Sequence, residues 1–305
     1  MIEKSIDRSF CSRLFPSIPD RANKGMMGRV LVVCGSYDPC GASMCGAAYF
    51  AARAAYLSGA GVVEIFTARE NYSAVAALVP EAVFSLYGYD ESTDAVSERL
   101  AKSLKKSDSV VIGCGLGKSD MSRALVKTVL LGAICPLVID ADGLNIISDD
   151  NSFWSYLDEA QRGRTVITPH PGEMARLTGK SIGEILASIP ETAKNLASEK
   201  GIICLLKDHN TAVSNGEAVY INQNGNSGMA TAGMGDVLAG IIGALLARCD
   251  KDGENEDILI RVAASAYLHG LAGDLAADRC GQYSLTVGEL LAEIPNAIGE
   301  IFSKK

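Results

Sequence analysis

The stretch SVVIGCGLGKSDMSRALVKTVLLGAICPLVIDADG, residues 109–143, decides the fold class of this chain. It contains two short apolar runs, SVVI and PLVI, each followed by Gly or Asp, with a helix-length segment between them. Strands that are apolar on both faces and alternate with helices are typical of a parallel sheet covered on both sides. This stretch therefore predicts a doubly wound α/β fold.

The same alternation continues on either side of this stretch. Comparable β-rich runs occupy residues 29–35, 61–66, 165–172 and 201–207. The sequence TAVSNGEAVYIN, residues 211–222, predicts two short strands around Asn215-Gly216, a dipeptide favoured in tight hairpin turns. Three further helices are predicted, from Asp236 to about Arg248, from Asp257 to about Ala277 and from Val287 to Ile301. Since no linker or repeat interrupts the pattern, we expect a single domain over residues 1–305.

The composition argues against several classes of partner. The 305 residues carry a formal net charge of −8, which disfavours nucleic acid or an anionic membrane, because either partner needs a basic protein surface. The nine cysteines include no C-x-x-C pair, which is typical of reduced thiols in a cytosolic protein. No apolar run reaches the roughly 18 residues of a membrane span. We therefore expect a soluble cytoplasmic protein that binds its ligand at a local site.

A glycine turn, Gly113 to Ser119 with the sequence GCGLGKS, resembles two phosphate-binding loops. The dinucleotide pattern G-x-G-x-x-G fails because the third glycine comes one residue early. The P-loop pattern G-x-x-x-x-G-K-[ST] fails because Ile112 stands at its first glycine. The residues leave two interpretations open, tight packing between a strand and a helix or the close approach of a ligand.

Polar residues follow three of the predicted strands. The sequence DADGLN, residues 140–145, is either a polar turn or a group that holds a metal-nucleotide complex or a substrate, Asn145 included. His170 stands between two prolines, where a neutral imidazole contacts a ligand or serves structure alone. Lys207 is either a phosphate ligand or a solvated lysine. Because ligands bind beyond the carboxyl ends of such strands, we expect these residues at one site.

The sequence TAGMGDVLAG, residues 231–240, runs from a glycine-rich turn into a predicted helix, with Asp236 at the junction. A helix start whose N–H groups are exposed by glycine is an anion site, suited to a phosphate. Asp236 is then either the N-cap of its own helix or a base beside that phosphate. Together with the strand ends, this predicts a nucleotide-phosphate site beside a small-molecule site, as phosphoryl transfer requires.

A series of ordered motifs resembles a known family. The motifs are KGMMGRVLVVCGS, GAAYFAARAAYLSGAG, GCGLG, DADGLN, TPHPGEMARL, KDHNT and GNSGMATAGMGDVLAGII. From Lys24 to the C-terminal helices, the chain closely resembles the ADP- or ATP-dependent NAD(P)H-hydrate dehydratases of the ribokinase-like superfamily. The resemblance implies a ribokinase-like α/β fold with a mostly parallel central sheet and helices on both faces. It also implies dehydration of the (S) form of hydrated NADH or NADPH at the expense of ADP or ATP, with Mg²⁺.

The resemblance implies roles for individual residues. The hydrated dinucleotide is expected at Ala47, Gly117, His170 and Asp236, to which we add Asn145 from its place after a strand. The adenine nucleotide is expected at Lys207, Asp208, His209, Asn210, Thr211 and Gly235. In the chemistry implied, Asp236 takes the proton from the ring hydroxyl as that hydroxyl attacks the terminal phosphate. Phosphate then leaves, expelled by the lone pair of the ring nitrogen.

The partners implied by the resemblance are the hydrated dinucleotide, an adenine nucleotide and further copies of the chain in a tetramer. Epimerisation of the (R) hydrate belongs to a separate N-terminal domain in fused relatives, and too few residues precede Lys24 for such a domain here. We therefore expect a separate epimerase as the functional partner.

Two features depart from the pattern of the family. Met234 stands where the family usually has a small hydroxyl residue, although Thr231 is near enough in sequence to substitute for it. The loop from Ser36 to Cys45 is several residues longer than usual.

Two other functions stay open: a vitamin-pathway kinase similar to hydroxyethylthiazole kinase, and a non-catalytic nucleotide-binding protein in which Asp236 is only a cap.

Overall fold

Ten strands form one sheet in the part of the chain that the structure describes. The structure, a computed structural model, describes residues 3–12, 18–38, 41–248 and 258–302. The strands are β1 Glu3–Ser5, β2 Arg29–Val33, β3 Val62–Ala68, β4 Val83–Tyr87, β5 Ser109–Ile112, β6 Leu137–Ile139, β7 Thr165–Ile167, β8 Ile203–Leu206, β9 Thr211–Ser214 and β10 Val219–Asn222. Their order across the sheet is β1-β10-β9-β8-β7-β6-β5-β2-β3-β4.

The sheet is mostly parallel, which confirms the predicted fold class. Of the ten described strands, β9 alone runs opposite to the others. The six β-rich runs and the hairpin correspond to eight strands, whereas β1 and β4, at the two edges, have no predicted counterpart. The sequence of β4, VFSLY, lacks the continuous apolar character of a central strand because most of this edge strand is not fully buried.

The helices cover the sheet and connect most of its strands. They are α1 Arg8–Ser12, α2 Cys45–Leu57, α3 Tyr72–Leu78, α4 Thr93–Leu104, α5 Asp120–Gly132, α6 Asp142–Asp149, α7 Glu159–Arg162, α8 Pro171–Thr178, α9 Ile182–Leu186, α10 Ile189–Lys200, α11 Met234–Leu246, α12 Ile258–Cys280 and α13 Val287–Phe302. Short 3₁₀ turns occupy Arg69–Asn71, Asn151–Tyr156, Ser227–Met229 and Gln282–Ser284. Within the four described ranges, none of the helices has the length and apolar character needed to cross a membrane.

The predicted helix boundaries agree with the structure at one start and differ at another. The start of α13 at Val287 is confirmed. The start predicted at Asp236 is wrong by two residues, because Gly233 takes a left-handed backbone conformation (φ 95°) and lets the chain enter α11 at Met234. The start predicted at Asp257 lies outside the described residues, and α12 continues to Cys280 rather than ending near Ala277.

The predicted hairpin is confirmed, but its turn is longer than a two-residue turn. Because Ser214 pairs with Val219, four residues connect β9 to β10. The side chain of Asn215 closes this connection by accepting hydrogen bonds from the backbone N–H groups of Glu217 and Ala218, each at 3.0 Å.

Apolar side chains fill both faces of the sheet, as the strand β2 illustrates. Val30 and Val32 pack into one layer with α2, α11, α12 and α13. Leu31 and Val33, which point to the other face, pack into a second layer with α4, α5, α6 and α10. Helices therefore cover both faces, as predicted.

The strand order creates a crevice at one place on the carboxyl edge. After β2 the chain continues to β3 and β4, and it then returns to place β5 on the other side of β2. The connections that follow β2 and β5 therefore leave in opposite directions, and ligands bind at such a reversal. The glycine turn begins at the end of β5, beside this crevice.

Candidate active site

The predicted site residues that follow β6, β7 and β8 meet at the carboxyl edge of the sheet. Asp140 and Lys207 follow β6 and β8, and their side chains contact each other. The first turn of α11 lies over them, since a Cβ at Gly235 would be 3.3 Å from Lys207 Nζ and 3.4 Å from Asp140 Oδ2. The structure thus brings together residues from DADGLN, KDHNT and GMGDVLAG.

A buried ion pair forms the floor of this site. Lys207 Nζ lies 2.8 Å from Asp140 Oδ1, and the hydroxyl of Thr168 donates to the same oxygen at 2.7 Å. Glu173 Oε2 lies 4.0 Å from the same ammonium. Burial lowers the pKa of Lys207, but the carboxylates of Asp140 and Glu173 outweigh burial and hold that pKa above its usual range. Lys207 therefore stays cationic, with its charge already shared by two acids.

Asp236 is not the cap of its helix. It is the third residue of α11, and Gly233 occupies the N-cap position. Within the described part of the chain, the Asp236 carboxylate accepts no hydrogen bond from a backbone N–H group. The capping interpretation therefore fails, and the carboxylate is free for another role.

The surroundings of Asp236 keep its carboxylate basic. The pKa of Asp236 is raised from 3.8 to about 7, because burial and then the charge of Asp140 raise it by more than Cys114 and Lys207 lower it. Asp142 is also near enough to raise this pKa. A carboxylate that titrates near neutrality both accepts and releases a proton at physiological pH, as a general base must.

A cavity of about 690 Å³, here the α11 cavity, opens beside the first turn of α11. Most of the residues predicted for the adenine nucleotide line it, together with one predicted for the substrate: Lys207, Asp208, His209, Thr211, Gly235 and His170. The loop after β10 and the helix α12 form the opposite wall. Asn210 is not part of this lining; it faces a separate cleft beside Ser188 and Gln223.

Two of the residues predicted for the substrate, Gly117 and Asn145, belong to a separate hydrogen-bonded surface. The backbone N–H of Gly117 donates to Asp142 Oδ2 at 2.8 Å, and Asn145 Nδ2 donates to Asp142 Oδ1 at 3.1 Å. Arg176 Nε in turn donates to Asn145 Oδ1 at 3.0 Å. Asp142 thus joins Gly117 and Asn145 into one polar surface near Asp236.

Two of the three glycines in the glycine turn pack tightly against neighbouring elements. A Cβ at Gly113 would lie 2.0 Å from the carbonyl oxygen of Asp140, and one at Gly115 would lie 2.8 Å from Ala47 Cβ. These two glycines therefore allow close packing, and Ala47 is buried directly behind the turn. Gly117 has more room, with Ser36 Oγ at 3.3 Å from its Cβ position, and lies on the polar surface with Asp142.

His170 is the N-cap of α8 and also lines the α11 cavity. Its Nδ1 accepts hydrogen bonds from the backbone N–H groups of Gly172 at 3.0 Å and Glu173 at 3.4 Å. Burial and then the charges of Lys207 and Arg176 lower the pKa of His170, so the ring is neutral. Because Nδ1 is the acceptor, the proton of the neutral ring is on Nε2. His170 is 51% exposed and so combines a structural role with access to a ligand.

Two substitutions separate these roles of His170. His170→Ala removes the cap and should cost about 0.5–2 kcal/mol of stability, whereas His170→Asn keeps a good capping side chain. Both should weaken use of the substrate by about 1–3 kcal/mol, because a ligand loses its partner on the ring. The pKa of His170 is lower in the folded protein than its ordinary value of about 6.5. The stabilising contribution of the neutral ring is therefore complete above pH 6.5 and is lost as pH falls through the lowered pKa. Melting curves against pH, kcat/KM and nucleotide affinity measure these effects. Normal turnover of His170→Asn would leave His170 with the cap alone.

The structure adds a residue that sequence reasoning missed, His269 of α12. Its Nε2 lies 3.0 Å from the carbonyl oxygen of Met234, so Nε2 carries the proton and donates. Burial lowers the pKa of His269 to about 4, which keeps the ring neutral. No motif marks His269; the signal available was that it is one of only three histidines.

A threonine hydroxyl is available in the α11 cavity near the position of Met234. Met234 is buried, with its side chain 5% exposed, and offers no hydroxyl. Thr231 lines the α11 cavity together with Gly235. This position is consistent with the prediction that the Thr231 hydroxyl replaces the one that Met234 lacks.

Sequence comparison agrees with this geometry. The family described as NAD(P)H-hydrate dehydratase matches residues 30–296. The bifunctional NAD(P)H-hydrate repair enzyme Nnr of Moorella thermoacetica is 36% identical and aligns with 94% of this chain and 52% of its own length. The chain therefore spans about half the length of that relative. The ADP-dependent (S)-NAD(P)H-hydrate dehydratase of Listeria monocytogenes is 30% identical over 99% of this chain and 98% of its own.

Structural comparison leads to the same family. The ADP/ATP-dependent NAD(P)H-hydrate dehydratase of Bacillus subtilis, co-crystallised with ATP and Mg²⁺, superimposes with a TM-score of 0.78 and 25% identity, covering 97% of each chain. A ribokinase-like superfamily protein of Enterococcus faecalis superimposes with a TM-score of 0.82 and 25% identity, covering 98% of this chain and 96% of its own, which confirms the ribokinase-like architecture. On the match to residues 30–296 and the identity to the L. monocytogenes protein, this chain belongs to the NAD(P)H-hydrate dehydratase family.

Proposed function

We propose that this protein dehydrates the (S) form of hydrated NADH or NADPH, driven by ADP or ATP. One observation carries the proposal: Asp236, which caps nothing and has a pKa raised to about 7, follows Gly235 of the α11 cavity and is close enough to Asp142, the partner of Gly117 and Asn145, for that charge to raise its pKa. A proton acceptor between two binding surfaces is what transfer of a phosphoryl group to a hydroxyl needs.

The proposed reaction, which uses the chain's own residues, has three steps. The hydroxyl of the hydrated ring loses its proton to Asp236 as its oxygen forms a bond to the terminal phosphorus of the nucleotide, and the bond to the leaving nucleotide breaks. The lone pair of the ring nitrogen then expels phosphate and leaves an iminium ion. Loss of a proton from the adjacent ring carbon to solvent forms the carbon–carbon double bond and restores the dihydronicotinamide ring. His170, Asn145, Gly117 and Ala47 orient the dinucleotide in this proposal.

The nucleotide is proposed to lie in the α11 cavity with its phosphates toward the first turn of α11. The first N–H groups of this 13-residue helix have no partner within the helix, and the helix dipole favours an anion there. Lys207 adds a positive charge beside Gly235. Asp208, His209 and Thr211 line the same cavity, and Asn210 contributes from the adjoining cleft.

The protein offers no good Mg²⁺ site of its own in the part that the structure describes. The one group of three candidate ligands there is Cys114, Asp140 and Asp236. A thiol is a poor ligand for Mg²⁺, and Asp140 is already paired with Lys207. We therefore assign no protein ligand to Mg²⁺, which commonly binds through substrate phosphates.

The test is to incubate the protein with NADH hydrate, Mg²⁺ and ADP or ATP, and to follow the absorbance of NADH. NADH should reappear with a nucleotide and not without one, because expulsion of the hydroxyl requires its phosphorylation. Asp236→Asn serves as the inactive control. Return of NADH without a nucleotide, or no return while a thiazole alcohol is phosphorylated, would reject the dehydratase.

The wider setting of this activity is also part of the proposal. We place the enzyme in the cytoplasm as a homo-oligomer, a tetramer by resemblance, that acts beside a separate epimerase of hydrated NAD(P)H. The bifunctional character of the M. thermoacetica relative supports a second repair activity linked to this one.

A further inference from the structure

Cys114, in the middle of the glycine turn, occupies a place that the proposed reaction does not explain. Its side chain is fully buried. Gly113 and Gly115, on either side, pack against Asp140 and Ala47, and Gly35 N donates to the carbonyl oxygen of Cys114 at 2.9 Å. These contacts fix the backbone on both sides of Cys114.

The Cys114 thiol lies close to two acids of the site, Asp140 and Asp236. Cys114 Sγ is 3.8 Å from Asp140 Oδ2, and Sγ lies with an oxygen of Asp140 and an oxygen of Asp236 in a group within 4.8 Å of one another. The other oxygen of Asp140 is held by Lys207 and Thr168. The Cys114 thiol is thus close to both the ion pair and Asp236.

The Cys114 thiol forms only a weak hydrogen bond with a carboxylate, because S–H is a weak hydrogen-bond donor. A hydroxyl or an ammonium group would bind the Asp236 carboxylate firmly and make it a poorer proton acceptor. Within the described residues, no N–H or O–H group donates to that carboxylate. Building on the function proposed above, we propose that Cys114 is a positioning residue, whose thiol holds the Asp236 carboxylate beside the Lys207–Asp140 pair without neutralising it.

The charges around Asp236 are consistent with this role. The pKa of Asp236 is affected by three charged groups: Asp140 at the end of β6, Lys207 at the end of β8 and Asp142 of α6. Glu173 of α8 and the neutral His269 of α12 lie close to the Lys207–Asp140 pair. The hydrogen bond with Cys34 and burial raise the pKa of Cys114, so the thiol is protonated and neutral. Cys114 lowers the pKa of Asp236, against the larger effect of burial.

The experiment compares Cys114→Ser and Cys114→Ala with the wild type in two measurements. The first is kcat/KM against pH, and the second is a ¹³C NMR titration of the aspartate carboxyl groups. The serine hydroxyl should move the acid limb of the profile and the titration of Asp236 down by about one to two pH units, because a hydrogen bond to a charged group is that strong. Cys114→Ala should leave the limb at or above its wild-type position and lower kcat by about 3–10-fold at unchanged KM, since orientation is lost.

Cys204→Ser is the matched control, because Cys204 of β8 is equally buried and burial alone perturbs its thiol. It should lower the melting temperature and leave the pH profile unchanged. If the Cys114 variants do the same, Cys114 is only structural and the proposal is overturned. If Cys114→Ser does not fold, the proposal is tested by the kcat of Cys114→Ala, a variant that buries no new polar group. Absence of dehydratase activity would contradict the proposed function. The role of Cys114 could still be tested in that case, because the NMR titration needs no turnover.

Discussion

We expect Asp236→Asn to give a folded, nucleotide-binding protein whose turnover of hydrated NADH is about 10²–10⁴-fold slower than that of the wild type. Losing a positioned general base typically has this effect on the rate. The amide has nearly the same shape as the carboxylate and accepts no proton. Turnover with saturating ADP or ATP measures the loss, and equilibrium binding of the nucleotide shows that the α11 cavity is intact.

The same substitution should increase stability in a pH-dependent way. Because the pKa of Asp236 is raised from 3.8 to about 7 in the folded protein, its stabilising contribution is full below pH 3.8 and is lost as pH rises through about 7. Above neutrality the wild type therefore carries an unfavourable buried charge that Asp236→Asn removes. We expect a gain of about 1–3 kcal/mol at pH 8 that disappears in acid, measured by denaturant unfolding.

Asp120→Asn is the control for both measurements. Asp120 is likewise an acid in the first turn of a helix, α5, but it is exposed and lies outside the site. It should change neither turnover nor stability beyond about 0.5 kcal/mol. Near-normal turnover of Asp236→Asn would show that another group is the base.

The second large effect is expected from Lys207→Met. This substitution leaves Asp140, whose side chain is 2% exposed, without its cation. Breaking a buried pair in this way typically costs about 3–5 kcal/mol, because the remaining charge stays buried without compensation. Nucleotide affinity should also fall, by about 10–150-fold, since a charge-assisted hydrogen bond to phosphate contributes about 1.5–3 kcal/mol. Denaturant unfolding and titration calorimetry measure the two losses.

The double variant Asp140→Asn with Lys207→Met separates stability from binding. Removing both charges should restore most of the stability, because replacing a whole buried pair is often neutral. Nucleotide affinity should stay low, because no cation remains beside Gly235. Lys118→Met is the control, since the Lys118–Asp149 pair is exposed and contributes about 0–1 kcal/mol. Full recovery of affinity in the double variant would contradict a role of Lys207 in nucleotide binding.

Much of the fold could be predicted from local patterns. The runs in β2, β3, β5, β6, β7 and β8 are apolar on both faces, and only a sheet covered by two helical layers buries such strands. Strand β4 escaped prediction because it lies at an edge and is only partly buried. The start of α11 was misplaced because Asp is a common N-cap, whereas the backbone at Gly233 begins the helix earlier.

Local sequence patterns identify the residue types at the carboxyl ends of the strands, because the periodicity that predicts a strand also locates its end. Asp140, His170, Lys207 and Asp236 were therefore identifiable as candidates. Only the tertiary structure decided how they act on one another. Lys207 pairs with Asp140 across 67 residues of sequence, and His269 contacts Met234 across 35. Such contacts, and the burial and charges that together bring the pKa of Asp236 to about 7, depend on strands and helices distant in sequence meeting at one edge, which no local pattern encodes.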